Sequence, residues 1–292
     1  MSLASEYTPS ALAEELVIRA NKVRGITGLD VVPMLVVEGP GDESALSPVC
    51  VHGYDQIFVA GGRRLVEQLL SYLKNEPIAG CECVFLIDCD GEGKTAYLSG
   101  EDSLLVTETC DLEADLVHIG VAARVASRFL SGDDEVKSIL TRSCELALAV
   151  SVVRRAAHSA AVSMRHANGR QFRITDLPDE TRLGWLEATP DPDDILVAVA
   201  ARMGFTSEES SAIRTEIPTV RPDFASSCMG KDALDVLFER LKIEGHGEVR
   251  GWDCHYFHKS VFSELTAQDL RDSEVGRRLL AWEASTGRTI LR

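Results

Sequence analysis

Three short apolar runs, set apart by turn residues and helical sequence, constrain this chain more than any other feature. Val31 to Val37 reads Val-Val-Pro-Met-Leu-Val-Val; Gln56 to Ala60 and Cys83 to Ile87 follow it. Each run stops at turn residues: Glu38-Gly39-Pro40-Gly41-Asp42, Gly61-Gly62 and Asp88-Cys89-Asp90-Gly91. Unbroken apolar runs of this length belong to strands buried on both faces, as in parallel sheets. Between the second and third runs, Arg63 to Leu73 places Leu65, Val66, Leu69, Leu70 and Leu73 on one helical face. A fourth strand is expected at Leu104 to Val106. This alternation predicts an α/β fold with a mainly parallel sheet flanked by helices.

Helical spacing predicts further helices at 8–24, from Glu43, at Leu112 to Phe129, and as one or two helices over 135–166. Others are expected at Ile195 to Met203, Glu208 to Arg214, Lys231 to Leu241 and Glu274 to Trp282. Gln171 to Ile174 reads as a short strand, and the proline- and aspartate-rich stretch from Asp176 to Asp194 as a solvated loop region. The expected division is 1–130 as a metal-binding catalytic domain with an N-terminal helix, and 131–292 as a mostly helical domain. Trp185, Trp252 and Trp282 are expected as core or interface anchors.

The 292 residues carry a net charge of −16, which argues against a protein that coats nucleic acid through bulk electrostatics. It leaves room for an enzyme with local basic contacts around metal-neutralised carboxylates. No apolar run is long enough to span a bilayer, and the N-terminus lacks the pattern of a signal peptide. A cytoplasmic protein without membrane contact is expected. The eight cysteines include no C-x-x-C pair, so buried or half-buried thiols are expected rather than a disulfide framework or a zinc site.

Glu38 and the Asp88/Asp90 pair stand just beyond the ends of two apolar strands, where ligands bind in parallel sheets. A hard divalent cation needs only two or three carboxylate oxygens beside phosphate and water. The Asp88-x-Asp90 spacing lets both acids face one ion, and a glutamate on a neighbouring strand end can bind metal or move protons. Gly39 and Gly41 would let a phosphate approach the main chain. Either half alone reads as an ordinary solvated turn; the two in order, each after an apolar run, are more specific.

Val-Val-Glu-Gly-Pro-Gly-Asp-Glu-Ser-Ala-Leu, then Phe-Val-Ala-Gly-Gly, then Phe-Leu-Ile-Asp-Cys-Asp-Gly-Glu-Gly resembles the TOPRIM domain over roughly residues 31 to 120. Primases, topoisomerases and the OLD-family nucleases share that domain. The resemblance implies catalytic Glu38, Asp88 and Asp90, with Mg²⁺ (or Mn²⁺) held by Asp88, Asp90, Asp42 and Glu38. Asp111-Leu112-Glu113 and Gly230-Lys231-Asp232, or Gly251-Trp252-Asp253 with Trp where the family has His, are similar to standalone TOPRIM nucleases of anti-phage systems such as PARIS, which work with an ABC-type ATPase. That similarity implies Glu113 as a further metal ligand, and Lys231 as a phosphate contact against the alternative of a solvated lysine.

Leu146 to Thr175 contains no acid but holds Arg154, Arg155, Arg165, Arg170 and Arg173. It is read either as a nucleic-acid or partner surface, or as a basic face paired with the chain's own acids. His255 and His258 would share a helical face, more often a structural arrangement than a catalytic one. The expectation is a Mg²⁺-dependent nuclease acting on RNA, with tRNA one option, or on DNA, in anti-phage defence, with a homodimer open. Its rivals are a partner-gated or non-catalytic subunit of an ATPase complex, and an RNA-maturation ribonuclease.

Overall fold

A computed structural model of the chain describes residues 8–89, 102–167, 170–220, 229–245 and 247–292. The chain forms two compact units, Met1–Glu108 with Lys259–Arg292, and Thr109–His258. This differs from a division at 130: the chain leaves the first unit at Glu108, and its C-terminal segment returns to it.

The first unit is built on β1 (Val32–Val37), all six residues of which are buried. β2 (Ile57–Val59), β3 (Cys81–Ile87) and β4 (Leu104–Val106) complete a sheet of order β2-β1-β3-β4, parallel throughout. Because side chains alternate along a strand, Val32, Met34 and Val36 face one layer with Phe58, Phe85, Ile87 and Leu104. There α1 (Pro9–Thr27) contributes Leu12, Leu16 and Val23, and α3 (Arg63–Asn75) contributes Val66 and Leu69. Leu35, Val37, Val84, Leu86 and Leu105, of opposite parity, are also buried. α2 (Pro40–Leu46) follows β1 directly.

Local chemistry sets the ends of α1. Thr8 Oγ1 accepts from the Ala11 N–H at 3.2 Å, Pro9 takes the first turn, and Gly28 ends the helix at φ 72°. Arg24 of α1 donates to the Gly80 carbonyl ahead of β3 at 2.7 Å.

The second unit is helical: α4 (Leu112–His118), α5 (Val121–Ala126), α6 (Asp133–Ser159), α7 (Asp179–Glu187), α8 (Pro192–Met203), α9 (Ser207–Glu216), α10 (Gly230–Glu244) and the first residues of α11 (Cys254–Ser263). α12 (Ala267–Asp272) and α13 (Glu274–Thr286) belong to the first unit. Leu146, Val150 and Val153 of α6 pack with Phe172, Ile195, Leu196, Val199, Ile213 and Val236.

Three expectations are corrected. The helix expected over Leu112 to Phe129 is two helices, because Gly120 takes the left-handed conformation at φ 84°. Gln171 makes a single bridge to Arg165 and Ile174–Asp176 is a 3₁₀ turn, so no strand forms there. The stretch expected as loop contains α7, whose first turn carries Asp179 and Glu180 where acids suit a helix N-terminus. Trp185, Trp252 and Trp282 sit as anchors: Trp185 and Trp282 are buried, and Trp252 packs edge-on to Phe129 and Tyr256. No described helix is long and apolar enough to cross a membrane.

α4 and α10 begin against one another. The Asp111 carboxylate accepts from the Ala114 N–H (2.8 Å) and from the Gly230 N–H (2.9 Å), capping both helices at once. A Cβ at Gly230 would lie 1.9 Å from Ala114 N and 2.3 Å from the Glu113 carbonyl carbon. Main chain cannot yield as a flexible side chain does, so Gly230→Ala is expected to cost about 1–3 kcal/mol or more. Gly184→Ala in α7, where nothing stands within 4 Å, should instead add up to about 1 kcal/mol. Urea unfolding of both variants checks the contrast; equal midpoints would remove the close-approach argument.

Candidate functional site

The order β2-β1-β3-β4 decides where a ligand site can form. The connection leaving β1 runs to β2 on one side, and the connection leaving β3 runs to β4 on the other. Between the carboxyl ends of β1 and β3 lies the point where the winding reverses, and open parallel sheets bind ligands in that crevice. Glu38 follows β1 there and Asp88 follows β3.

Glu38 is anchored from both sides. On the β2 side, Ala60 N–H donates to the Val37 carbonyl (2.9 Å) and Gly61 N–H to the Glu38 carbonyl (3.1 Å). The Gly61-Gly62 turn has φ of 96° and 128°, a region that L side chains rarely adopt. On the β3 side, Glu38 Oε1 accepts from the Asp88 N–H at 2.9 Å. The next residue, Cys89, donates its N–H to Thr107 Oγ1 at 2.8 Å, and Thr107 N–H donates to the Ile87 carbonyl at 3.1 Å. Both acids are half-buried. A glutamate, one methylene longer than aspartate, spans from one strand end to the main chain of the next.

Asp42 sits differently. It is buried in the first turn of α2, where Oδ2 accepts from the Gly39 N–H at 2.9 Å. That oxygen caps its own helix. Gly39 is extended at φ −142° and Gly41 lies in the first turn, so neither needs glycine for a left-handed conformation. The carboxylates of Glu38, Asp42 and Asp88 do not draw within 4.8 Å of one another as a set of three. Asp90 lies outside the described residues.

Glu113, expected as a further ligand, belongs to the second unit, in the first turn of α4. Its side chain is 3% exposed, with Oε1 3.4 Å from Lys231 Nζ and Oε2 buried without a hydrogen-bond partner. Lys231, 44% exposed, is thus set against a buried acid. Burial, with the Glu113 charge adding to it, pushes the neighbouring Asp111 carboxyl up to about 8.

The acid-free stretch is drawn into internal pairs. α10 presents Asp232, Asp235 and Glu239 at i, i+3 and i+7, all buried. Arg154, only 12% exposed, reaches Asp232 at 2.5 Å. Arg173 binds Asp235 through both nitrogens of its fork, with Nε to Oδ2 at 2.8 Å. Arg182 lies 3.5 Å from Glu239. Arg170 and His166 meet Asp176 at 2.6 and 2.9 Å. Pairing with the chain's own acids therefore accounts for Arg154, Arg170 and Arg173.

The two histidines do not share a face. His255 is exposed, and His258 is buried with Nε2 3.0 Å from Asp235 Oδ1. Cys254 Sγ lies 2.8 Å from the same oxygen. Burial alone would raise the Asp235 pKa, but the His258 hydrogen bond and the Arg173 charge outweigh it and hold the group below the usual carboxylate range. Burial pushes the Cys254 thiol well up, and Asp235 adds to that. Sequence reading missed this cluster; the Cys254-x-x-x-His258 spacing was the available signal. The seven described cysteines are free thiols.

Comparison of the chain with protein-family models, with curated proteins and with solved structures finds no match.

Two predictions follow from the buried acids. Arg154→Ala strands Asp232 in the interior and is expected to cost about 3–5 kcal/mol, while Lys137→Ala on the exposed side of α6 should stay within about 0.5 kcal/mol. Chemical unfolding measures both, and an Arg154→Ala variant as stable as the parent would free Arg154 for a surface role. Asp111 holds its proton in the folded state up to about 8 but loses it near 3.8 when unfolded. The folded state thus binds the extra proton between these values, and this group's stabilising contribution is lost as pH rises from 3.8 to about 8. Asp111→Asn, which keeps an oxygen for both N–H donors, should flatten that slope in unfolding free energy. An unchanged slope would assign it to other groups.

Proposed function

We propose that this chain is a divalent-metal-dependent phosphodiester hydrolase acting on RNA or DNA, with its centre at the β1 and β3 strand ends. One observation carries the reading: at the sheet's winding reversal, the Glu38 carboxylate spans to the main chain of Asp88 and fixes both acids on one edge. Half-buried carboxylate oxygens suit a hard cation that keeps several of its waters. Glu38 and Asp88 would hold Mg²⁺ or Mn²⁺, with Asp90 beside them in sequence; Asp42 supports the turn that presents Glu38. The bound cation would polarise a phosphoryl oxygen and acidify a water.

Glu38 contributes a carboxylate whose position is set by two neighbouring strands, so little reorganisation accompanies proton transfer. The Asp88 N–H, already donating to Glu38, keeps that carboxylate pointed across the crevice.

A partner-gated effector is the second reading. Arg154, Arg170 and Arg173 are occupied by the chain's own acids, and the net charge is −16. A basic partner surface, such as an ATPase subunit of a defence complex, would then bring nucleic acid to the site. The TOPRIM resemblance favours such a role in anti-phage defence over RNA maturation.

The test is a cleavage assay on total tRNA, plasmid and single-stranded DNA with Mg²⁺ or Mn²⁺. Glu38→Gln keeps an oxygen for the Asp88 N–H and removes the charge. It should fold normally and lose about 10²–10⁴-fold in rate, and Asp88→Ala should abolish cutting. Full activity in both variants overturns the site. Cutting that appears only with an ATPase partner supports the gated reading.

A further inference from the structure

α11 carries Cys254 and His258 four residues apart, which sets both side chains on one helical face. Asp235 of α10 faces them. Cys254 Sγ stands 2.8 Å and His258 Nε2 3.0 Å from Asp235 Oδ1. Among the described residues, this is the one group of three His, Cys, Asp or Glu side chains whose donor atoms all lie within 4.8 Å of one another. Asp235 is fully buried, His258 nearly so, and Cys254 half-buried.

We propose that Asp235, Cys254 and His258 form a binding site for a zinc-class transition-metal ion in the helical unit. The donor set carries the assignment. One sulfur, one imidazole nitrogen and one carboxylate oxygen suit a borderline cation that favours four tetrahedral ligands, whereas Mg²⁺ prefers oxygen alone. Three protein ligands leave a fourth position for water or a small anion, and the half-exposed Cys254 side gives an entry path.

Arg173 fits this arrangement as an outer partner. It binds both Asp235 oxygens, Nε to Oδ2 at 2.8 Å and Nη2 to Oδ1, and so fixes the plane of the carboxylate whose Oδ1 also meets Cys254 and His258. Ligating carboxylates are commonly held in this way by a second hydrogen bond. The ion binds as Cys254 gives up its thiol proton, which passes to solvent, because the thiolate is the ligand.

The experiment is a titration of the purified full chain, stripped with a chelator, with Co²⁺ as a spectroscopic substitute. The expected result is thiolate-to-cobalt charge-transfer absorption saturating near about one ion per chain, and displacement of that ion by Zn²⁺. Cys254→Ala should lose the band and bind Co²⁺ roughly tenfold or more weakly. Cys81 and Cys83 also stand together, Sγ to Sγ 3.6 Å, so a Cys81→Ala/Cys83→Ala variant should keep the band if the site is the one proposed. Glu38→Gln should keep it as well, which separates this site from the strand-end acids. No band in the parent protein, or a band that survives Cys254→Ala, overturns the proposal and leaves the cluster as hydrogen-bond donors around a buried Asp235.

Discussion

The hydrogen bond from the Asp88 N–H to the Glu38 carboxylate depends on one constraint: β1 is buried on both faces. A strand in that position has no solvent face, so its polar chemistry is pushed to its ends. Parallel pairing aligns the carboxyl ends of β1, β2 and β3 on one edge. The acids that follow β1 and β3 become neighbours although 50 residues separate Glu38 from Asp88. The Gly61-Gly62 turn completes the edge by binding the Glu38 carbonyl from the other side.

A different constraint shapes the helical unit. α10 buries three acids on one face, and buried carboxylates are tolerated only when paired. The partners come from far along the chain: Arg154 from α6, Arg173 from beside the 3₁₀ turn, Arg182 from α7. Such pairs add little net stability compared with an apolar interface, but removing one member is costly. Through them α10 is tied to α6, to α7 and to the segment before the 3₁₀ turn. Asp111 acts in the same manner by capping α4 and α10 together, and the missing Cβ of Gly230 lets the two helix starts approach.

What could be read from sequence follows the range of the physics involved. Strands β1 and β3 were legible because burial on both faces leaves a local, unbroken apolar signature. Glu38 and Asp88 were legible as strand-end acids for the same reason. The split at Gly120 was not, since a lone glycine inside helical spacing does not reveal whether it takes a positive φ. Arg154 and Arg173 looked like a surface because their acids stand 78 and 62 residues away. The three-residue spacing joins His258 to His255, while its actual neighbours are Cys254, one turn back, and Asp235 on another helix. The return of Lys259–Arg292 to the first unit is a tertiary event without a local mark.

The two proposed centres would differ in the kind of ion each holds. At the strand ends the donors are carboxylate oxygens, half-buried and near main-chain N–H groups, an environment in which a strongly hydrated cation keeps most of its water. In the helical unit a thiol and an imidazole share a buried carboxylate, and such donors rank zinc-class ions well above Mg²⁺. Selectivity would thus be set by donor type rather than by charge, since an aspartate stands in both. A cation that is released and rebound with substrate belongs with the first set of donors. The second set of donors comes from α10 and α11, which already stack Phe238 on Phe257, so an ion there would add to a contact the helices make without it.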